Sequence, residues 1–127
     1  MGQADKKPSA VVLVVEDEPL IRMDAVDLVS DAGLQAIEAR TAEEALERLE
    51  KRKDISILFT DIEMPGAMNG VGLAKVVLRK WPHIKVIVTS GKFRANELDP
   101  PQRVAFYTKP FNRKKTSETL LRLATAS

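Results

Sequence analysis

The apolar positions of this chain come in two rhythms. Short, mostly apolar runs at Ala10–Val15, Ile55–Phe59 and Ile84–Val88 are rich in β-branched residues and interrupted only by Ser56 and Lys85. They read as strands buried on both faces, the kind found in parallel sheets covered by helices. Leu34–Ala39 is less uniformly apolar and reads as an edge strand, and Arg103–Thr108 as a short fifth one. Between these runs the apolar residues recur at helical spacing. Ile21, Ala25, Leu28, Val29 and Ala32 share one face of a helix that Pro19 opens and Gly33 stops, with Asp24, Asp27 and Asp31 on the other face. Thr41 and Glu44 form a capping box ahead of the stripe Ala42, Ala45, Leu46 and Leu49. Gly70–Trp81 predicts a third helix with Ala74, Val77, Leu78 and Trp81 inward. Asn112 predicts the cap of a last helix with Leu120, Leu121 and Ala124 on its buried side. Residues 93–99 hold one or two helical turns at most before Pro100 and Pro101 end them.

Strands alternating with helices imply one parallel sheet with right-handed crossovers. The three most apolar strands, the first, third and fourth, belong in its middle, which the order 2-1-3-4-5 satisfies. At 127 residues the chain forms one domain; residues 10–127 make it up and residues 1–9 read as a flexible tail. There is no cysteine, hence neither a disulfide framework nor thiolate chemistry. The longest apolar run is far too short to cross a bilayer, and the polar N-terminus is no secretory signal. The net charge is only +2, and its densest cluster, Arg113-Lys114-Lys115, reads as a solvated helix start rather than a nucleic-acid site. The expectation is therefore a soluble, cytoplasmic protein with no nucleic-acid or membrane partner.

The candidate chemistry gathers at strand ends. Glu16 and Asp17 follow the first strand, Asp61 the third, Ser90 the fourth and Lys109 the fifth. In a parallel α/β sheet that edge is where ligands bind, and the first and third strands are neighbours in the proposed order. Their carboxylates would crowd one site, which is costly unless a cation compensates. Mg²⁺ takes oxygen ligands, typically one or two carboxylates, waters and a phosphate. Lys109 would add a positive charge near Asp61, and Ser90 a hydroxyl for a phosphoryl oxygen. Carboxylates that accept phosphoryl groups are an established kind of nucleophile. Taken singly, each residue has a plainer reading: a helix start that favours acids at Glu16-Asp17, a turn at Ser90, a solvated lysine at Lys109.

With these residues in place, the chain resembles a response regulator receiver domain of two-component signalling. The resemblance runs over roughly Val11–Ala124. It rests on the acidic pair after the first strand, Asp61-x-x-Met64-Pro65, the hydroxyl before a small residue at Ser90-Gly91, and Lys109-Pro110-Phe111. It implies a flavodoxin-like (βα)5 three-layer sandwich with Asp61 as phosphoacceptor. Glu16, Asp17 and Asp61, with the backbone carbonyl of Glu63, would hold Mg²⁺ or Mn²⁺. Ser90 would be the switch hydroxyl, with Thr89 the alternative, Phe106 the aromatic switch and Lys109 the phosphate-contacting lysine. The phosphoryl group would come from a histidine kinase or a histidine phosphotransfer protein, and a downstream protein of unknown identity would read the result. The expected form is a stand-alone receiver that catalyses its own phosphorylation and dephosphorylation and is not a conventional enzyme.

Some positions depart from the family pattern. Glu16 is one methylene longer than the commoner Asp, Phe106 replaces the commoner Tyr, and the loop from Asp61 to Gly70 is one residue longer than usual. Residues 93–101 are poor helix sequence where the family has its fourth helix, and this stretch is expected to carry the signal. Rival readings on the same residues are weaker. Gly70-Val71-Gly72 lacks the third glycine of a dinucleotide fingerprint, and the acids after the first strand would repel a cofactor phosphate. An aspartate-based phosphohydrolase needs further acid–base groups and a covering cap. A degenerate receiver serving only as a phosphorylation-independent interaction module would have no use for Asp61 and Lys109.

Overall fold

The computed structural model describes residues 10–64, 66, 68–90, 104–108 and 112–125, less the side chains of Phe106 and Thr108. Along the chain run β1 (Val11–Val15), α1 (Pro19–Asp31), β2 (Gln35–Ala39), α2 (Ala42–Lys51), β3 (Ile55–Asp61), α3 (Gly70–Lys80), β4 (Lys85–Ser90), β5 (Val104–Thr108) and α4 (Arg113–Thr125). The sheet is parallel throughout, in the order β2-β1-β3-β4-β5. This is the flavodoxin-like arrangement expected from the alternation of runs and stripes. The expected tail at residues 1–9 and the weakly helical stretch at 93–101 lie outside the described residues.

Both faces of the sheet are covered. On one, α2 and α3 bury Ala42, Ala45, Leu49, Leu73, Ala74 and Val77 against Leu13, Leu58 and Val86. On the other, α1 and α4 bury Ala25, Leu28, Val29 and Leu120 against Val12, Val14, Phe59 and Ile87. The edge strand β2 is partly exposed, as its mixed composition indicated. Gly33 ends α1 with φ at 85°, a left-handed turn that a side chain would strain.

β3 contains the irregularity that matters for the site. Val11 pairs with Ile55 but Val12 pairs with Ile57, so Ser56 is an extra residue, a β-bulge. Side chains alternate along a strand, and the bulge resets their phase. Ile55 packs with α2 and α3, whereas Ile57 and Phe59 pack with α1 and α4.

Two details differ from the sequence reading. Thr41 caps α2 by accepting from the Glu44 amide at 3.1 Å, but Glu44 reaches past Thr41 to accept from the Arg40 amide at 2.8 Å and from its guanidinium at 3.0 Å. In α4 the buried stripe is Thr116, Thr119 and Leu120, flanked by Leu123 and Ala124, and Leu121 is only half-buried. The Tyr107 hydroxyl bonds to the Thr119 hydroxyl and, at 3.4 Å, donates to the Lys115 carbonyl, which turns this polar side of the helix toward the sheet.

The Arg40 amide, and after it the Arg40 guanidinium, holds the Glu44 carboxyl below its ordinary value of 4.5. A depressed folded value adds stability that is present above the unfolded value and lost as pH falls through the folded one. Glu44→Ala should therefore cost about 1 kcal/mol at neutral pH, a modest figure for a partly screened contact. The difference from wild type should shrink below about pH 4.5 in urea melts run across that range. A cost independent of pH would show that the charged Arg40–Glu44 contact is not its source.

Candidate functional site

Three of the strand-end acids converge. β1 and β3 are neighbours, and Val15 pairs with Thr60, which sets residues 16 and 61 side by side at the C-terminal edge. Single carboxylate oxygens of Glu16, Asp17 and Asp61 lie within 4.8 Å of one another. Asp61 and Glu16 are only 3% and 4% exposed, while Asp17 faces solvent. At such separations two charges repel by on the order of 3 kcal/mol at an effective dielectric constant of about 20. A hard divalent cation bound by oxygen ligands removes that repulsion, and the donor set fits Mg²⁺.

Glu16 is held from several sides. Its amide donates to the Ala39 carbonyl at 3.1 Å, extending the β1–β2 ladder by one step. Its carbonyl accepts from the Arg22 guanidinium at 3.0 Å, and its carboxylate accepts from the Glu18 amide at 3.1 Å. Arg22 is itself tied to Glu38 at 3.0 Å. Arg22 was not singled out in the sequence, and the one signal there is that it is the sole basic residue of α1.

Asp61 is positioned by β3 and by the chain just after it. The Ile62 amide donates to the Thr89 carbonyl at 2.9 Å, and the Gly70 amide to the Ile62 carbonyl at 2.9 Å. Asn69 caps α3 by accepting from the Gly72 amide at 3.0 Å. A Cβ on Gly70 would lie 2.0 Å from the Asp61 carbonyl oxygen, so this glycine lets α3 begin against the end of β3. A cavity of about 10 Å³ lies beneath the acids, lined by Glu16, Ile21, Ala25, Phe59, Asp61 and Thr89 among others.

The two hydroxyl candidates are placed differently. Thr89 is the register partner of Asp61 and lines that cavity. Ser90 is fully buried, and its hydroxyl donates to the carboxylate of Glu63, two residues beyond Asp61. The sequence reading gave Glu63 a backbone role only. Lys109 lies outside the described residues, as does the side chain of Phe106, whose backbone in β5 pairs with Val88 of β4. Arg113, from the basic cluster, forms ion pairs with Asp24 and Asp31 of α1.

The chain is similar to known proteins over most of its length. The family model of the response regulator receiver domain matches residues 12–120. The sensor kinase CckA of Brucella abortus is 34% identical over 120 residues, 91% of this chain but 13% of the kinase. The chemotaxis protein CheY of Thermotoga maritima is 38% identical over 80 residues, 62% of this chain and 65% of that protein. The chain thus spans less than two thirds of the length of these relatives. Among solved structures, the response regulator TrrA of Thermotoga maritima in complex with Mg²⁺-BeF superposes with a TM-score of 0.79 at 27% identity, covering 90% of this chain and 98% of that one. The receiver domain of a hybrid histidine kinase CckA superposes at 0.74 with 28% identity, covering 91% and 100%. Among the described residues no helix is long and apolar enough to cross a membrane. The chain belongs to the response regulator receiver domain family of two-component signalling.

Proposed function

We propose that Asp61 accepts a phosphoryl group from a phosphohistidine on a histidine kinase or a histidine phosphotransfer protein. The observation that carries this reading is the cluster of Glu16, Asp17 and Asp61 at the C-terminal edge of the sheet. An Asp61 carboxylate oxygen attacks phosphorus, the N–P bond breaks, and the imidazole departs. Attack of water on phosphorus later restores the carboxylate and releases inorganic phosphate. Asp17 and Asp61, Glu16 directly or through water, and the Glu63 carbonyl would hold Mg²⁺ or Mn²⁺, which when bound neutralises charge on the transferring group. Glu16 keeps Asp17 and Asp61 in register through its own anchored backbone. The Ser90 hydroxyl donates to a phosphoryl oxygen. The roles of Lys109 as the phosphate-contacting cation and Phe106 as the reporter of phosphorylation rest on their sequence positions.

Leu20 and Met23 project from α1, the helix that follows Glu16 and Asp17 in the chain, with 74% and 63% exposure. Large exposed apolar side chains beside a reactive group suit the apolar surface of a helical donor domain. The downstream reader is a protein bound to the phosphorylated form.

The test is labelling with a small phosphodonor. Wild type should gain one acid- and base-labile phosphate in the presence of Mg²⁺ and none in excess EDTA. Among ligand variants, Asp17→Asn should weaken Mg²⁺ binding in calorimetry more than Glu16→Gln. Glu16 already spends part of its carboxylate on the Glu18 amide, and removing a direct ligand loses both charge and geometry. The reverse order would make Glu16 the primary ligand, and labelling that ignores EDTA would remove the metal from the reaction.

A further inference from the structure

The contact between Ser90 and Glu63 ties a buried hydroxyl of β4 to an exposed carboxylate of the loop after β3. Ser90 is 0% exposed, and a buried hydroxyl is held by whatever accepts its proton. A serine hydroxyl carries one proton, so it donates strongly to one acceptor at a time. In this structure the acceptor is the Glu63 carboxylate, and charged acceptors make the stronger bonds. The proposed function, on which this inference rests, asks the same proton to turn to a phosphoryl oxygen on Asp61.

We infer that Glu63 is a positioning residue that competes with the phosphoryl group for the Ser90 hydroxyl and so holds the resting arrangement of the site. Two bonds cannot both form in full, so phosphorylation must break the one to Glu63 before it gains the one to the phosphoryl oxygen. The affinity of the site for a phosphoryl group is then reduced by the fraction of molecules in which Ser90 is engaged by Glu63. The backbone of Glu63 and its side chain thereby act in opposite directions. The carbonyl is offered to the cation that recruits the phosphoryl group, while the carboxylate withholds the hydroxyl that would secure it. Glu63 is at the surface, so its truncation leaves both cores untouched.

The discriminating experiment is a double-mutant cycle read by binding. Affinity for beryllofluoride at saturating Mg²⁺ is measured by calorimetry on wild type, Glu63→Ala, Ser90→Ala and the double variant. Glu63→Ala should bind about tenfold more tightly than wild type, equivalent to ~1.4 kcal/mol. In the Ser90→Ala background the same substitution should change affinity by less than about twofold, because the contested proton is gone. A mere charge effect of Glu63 on the fluoride would survive unchanged in that background, and such a result overturns the inference. An independent readout adds neither metal nor fluoride to the variant: in Glu63→Ala the amide resonances of Thr89 and Ser90 should move toward the positions they take in the beryllofluoride complex of wild type. Unmoved resonances with unchanged affinity sink the inference while leaving the phosphoacceptor reading intact. If wild type binds no beryllofluoride at all, both fall together.

Discussion

Asp61→Asn should abolish phosphate incorporation from a small phosphodonor and at the same time make the metal-free protein more stable. The first effect follows from chemistry. The amide keeps the size of the side chain but removes the anionic oxygen that attacks phosphorus. The second follows from position. Asp61 is buried at 3% exposure within 4.8 Å of two other carboxylates, so its charge works against folding when no cation is bound. Removing one of three like charges should stabilise the apo protein by on the order of 2 kcal/mol, roughly 6–8 °C in Tm for a domain of this size. Mg²⁺ binds the folded wild type and should narrow the gap by mass action. The pairing of lost labelling with gained stability separates a removed nucleophile from a damaged fold. Mass spectrometry and thermal melts with and without Mg²⁺ check the two halves. Retained labelling would move the acceptor elsewhere, and a less stable variant would show that the Asp61 side chain does not work against folding.

The largest structural effect is expected at Gly70. An alanine Cβ there would meet the Asp61 carbonyl oxygen at 2.0 Å, the Ile62 Cα at 2.7 Å and the Asp61 carbonyl carbon at 2.8 Å. All three are backbone atoms, and the Gly70 amide is itself bonded to the Ile62 carbonyl, so α3 must back away from the end of β3 and pull Asp61 with it. Gly70→Ala should cost about 3 kcal/mol or more, the upper range for overpacking, and weaken Mg²⁺ binding together with stability. Gly72→Ala is the matched control. Its Cβ would meet chiefly the Met68 Cγ at 2.9 Å, on a side chain flexible enough to move aside. Alanine also gains about 1 kcal/mol of helix propensity over glycine, so Gly72→Ala should be nearly neutral. Urea melts of the two variants, with Mg²⁺ titrations on each, make the comparison. Equal costs at the two sites would show that α3 tolerates displacement and that Gly70 is not what seats it.

Much of this follows from patterns that local chemistry imposes. Runs rich in β-branched residues favour burial on both faces, which put β1, β3 and β4 inside the sheet and left the weaker run at Gln35–Ala39 for an edge. The acids directly after β1 and at the end of β3 could only meet once those strands were neighbours. Thr41, Asn69 and Asn112 sit where a helix needs an acceptor for its unpaired amides; the first and last of these were read from the sequence.

What the amino-acid sequence alone determined, then, is the layering of the fold, with β1, β3 and β4 inside the sheet; the order 2-1-3-4-5 satisfies that pattern, and the pairing of β1 with β3 in the folded molecule is what brings Glu16, Asp17 and Asp61 together. Other features were decided by tertiary structure. The bulge at Ser56 is invisible in composition, since the run from Ile55 to Phe59 reads the same with or without it. Yet it puts Phe59 on the α1 and α4 side of the sheet, although Ile55, four residues back, packs against α2 and α3. The stripe of α4 was misread at Leu121 because three apolar candidates fit more than one helical phase; the contacts of Tyr107 with Thr119 and Lys115 favour the observed one. Arg22 reaches the Glu16 carbonyl across six residues of chain, and Ser90 reaches Glu63 across twenty-seven. Such polar contacts depend on where a flexible side chain comes to rest in the folded molecule. No periodicity encodes them, because an exposed Arg or Glu satisfies the pattern equally well in water.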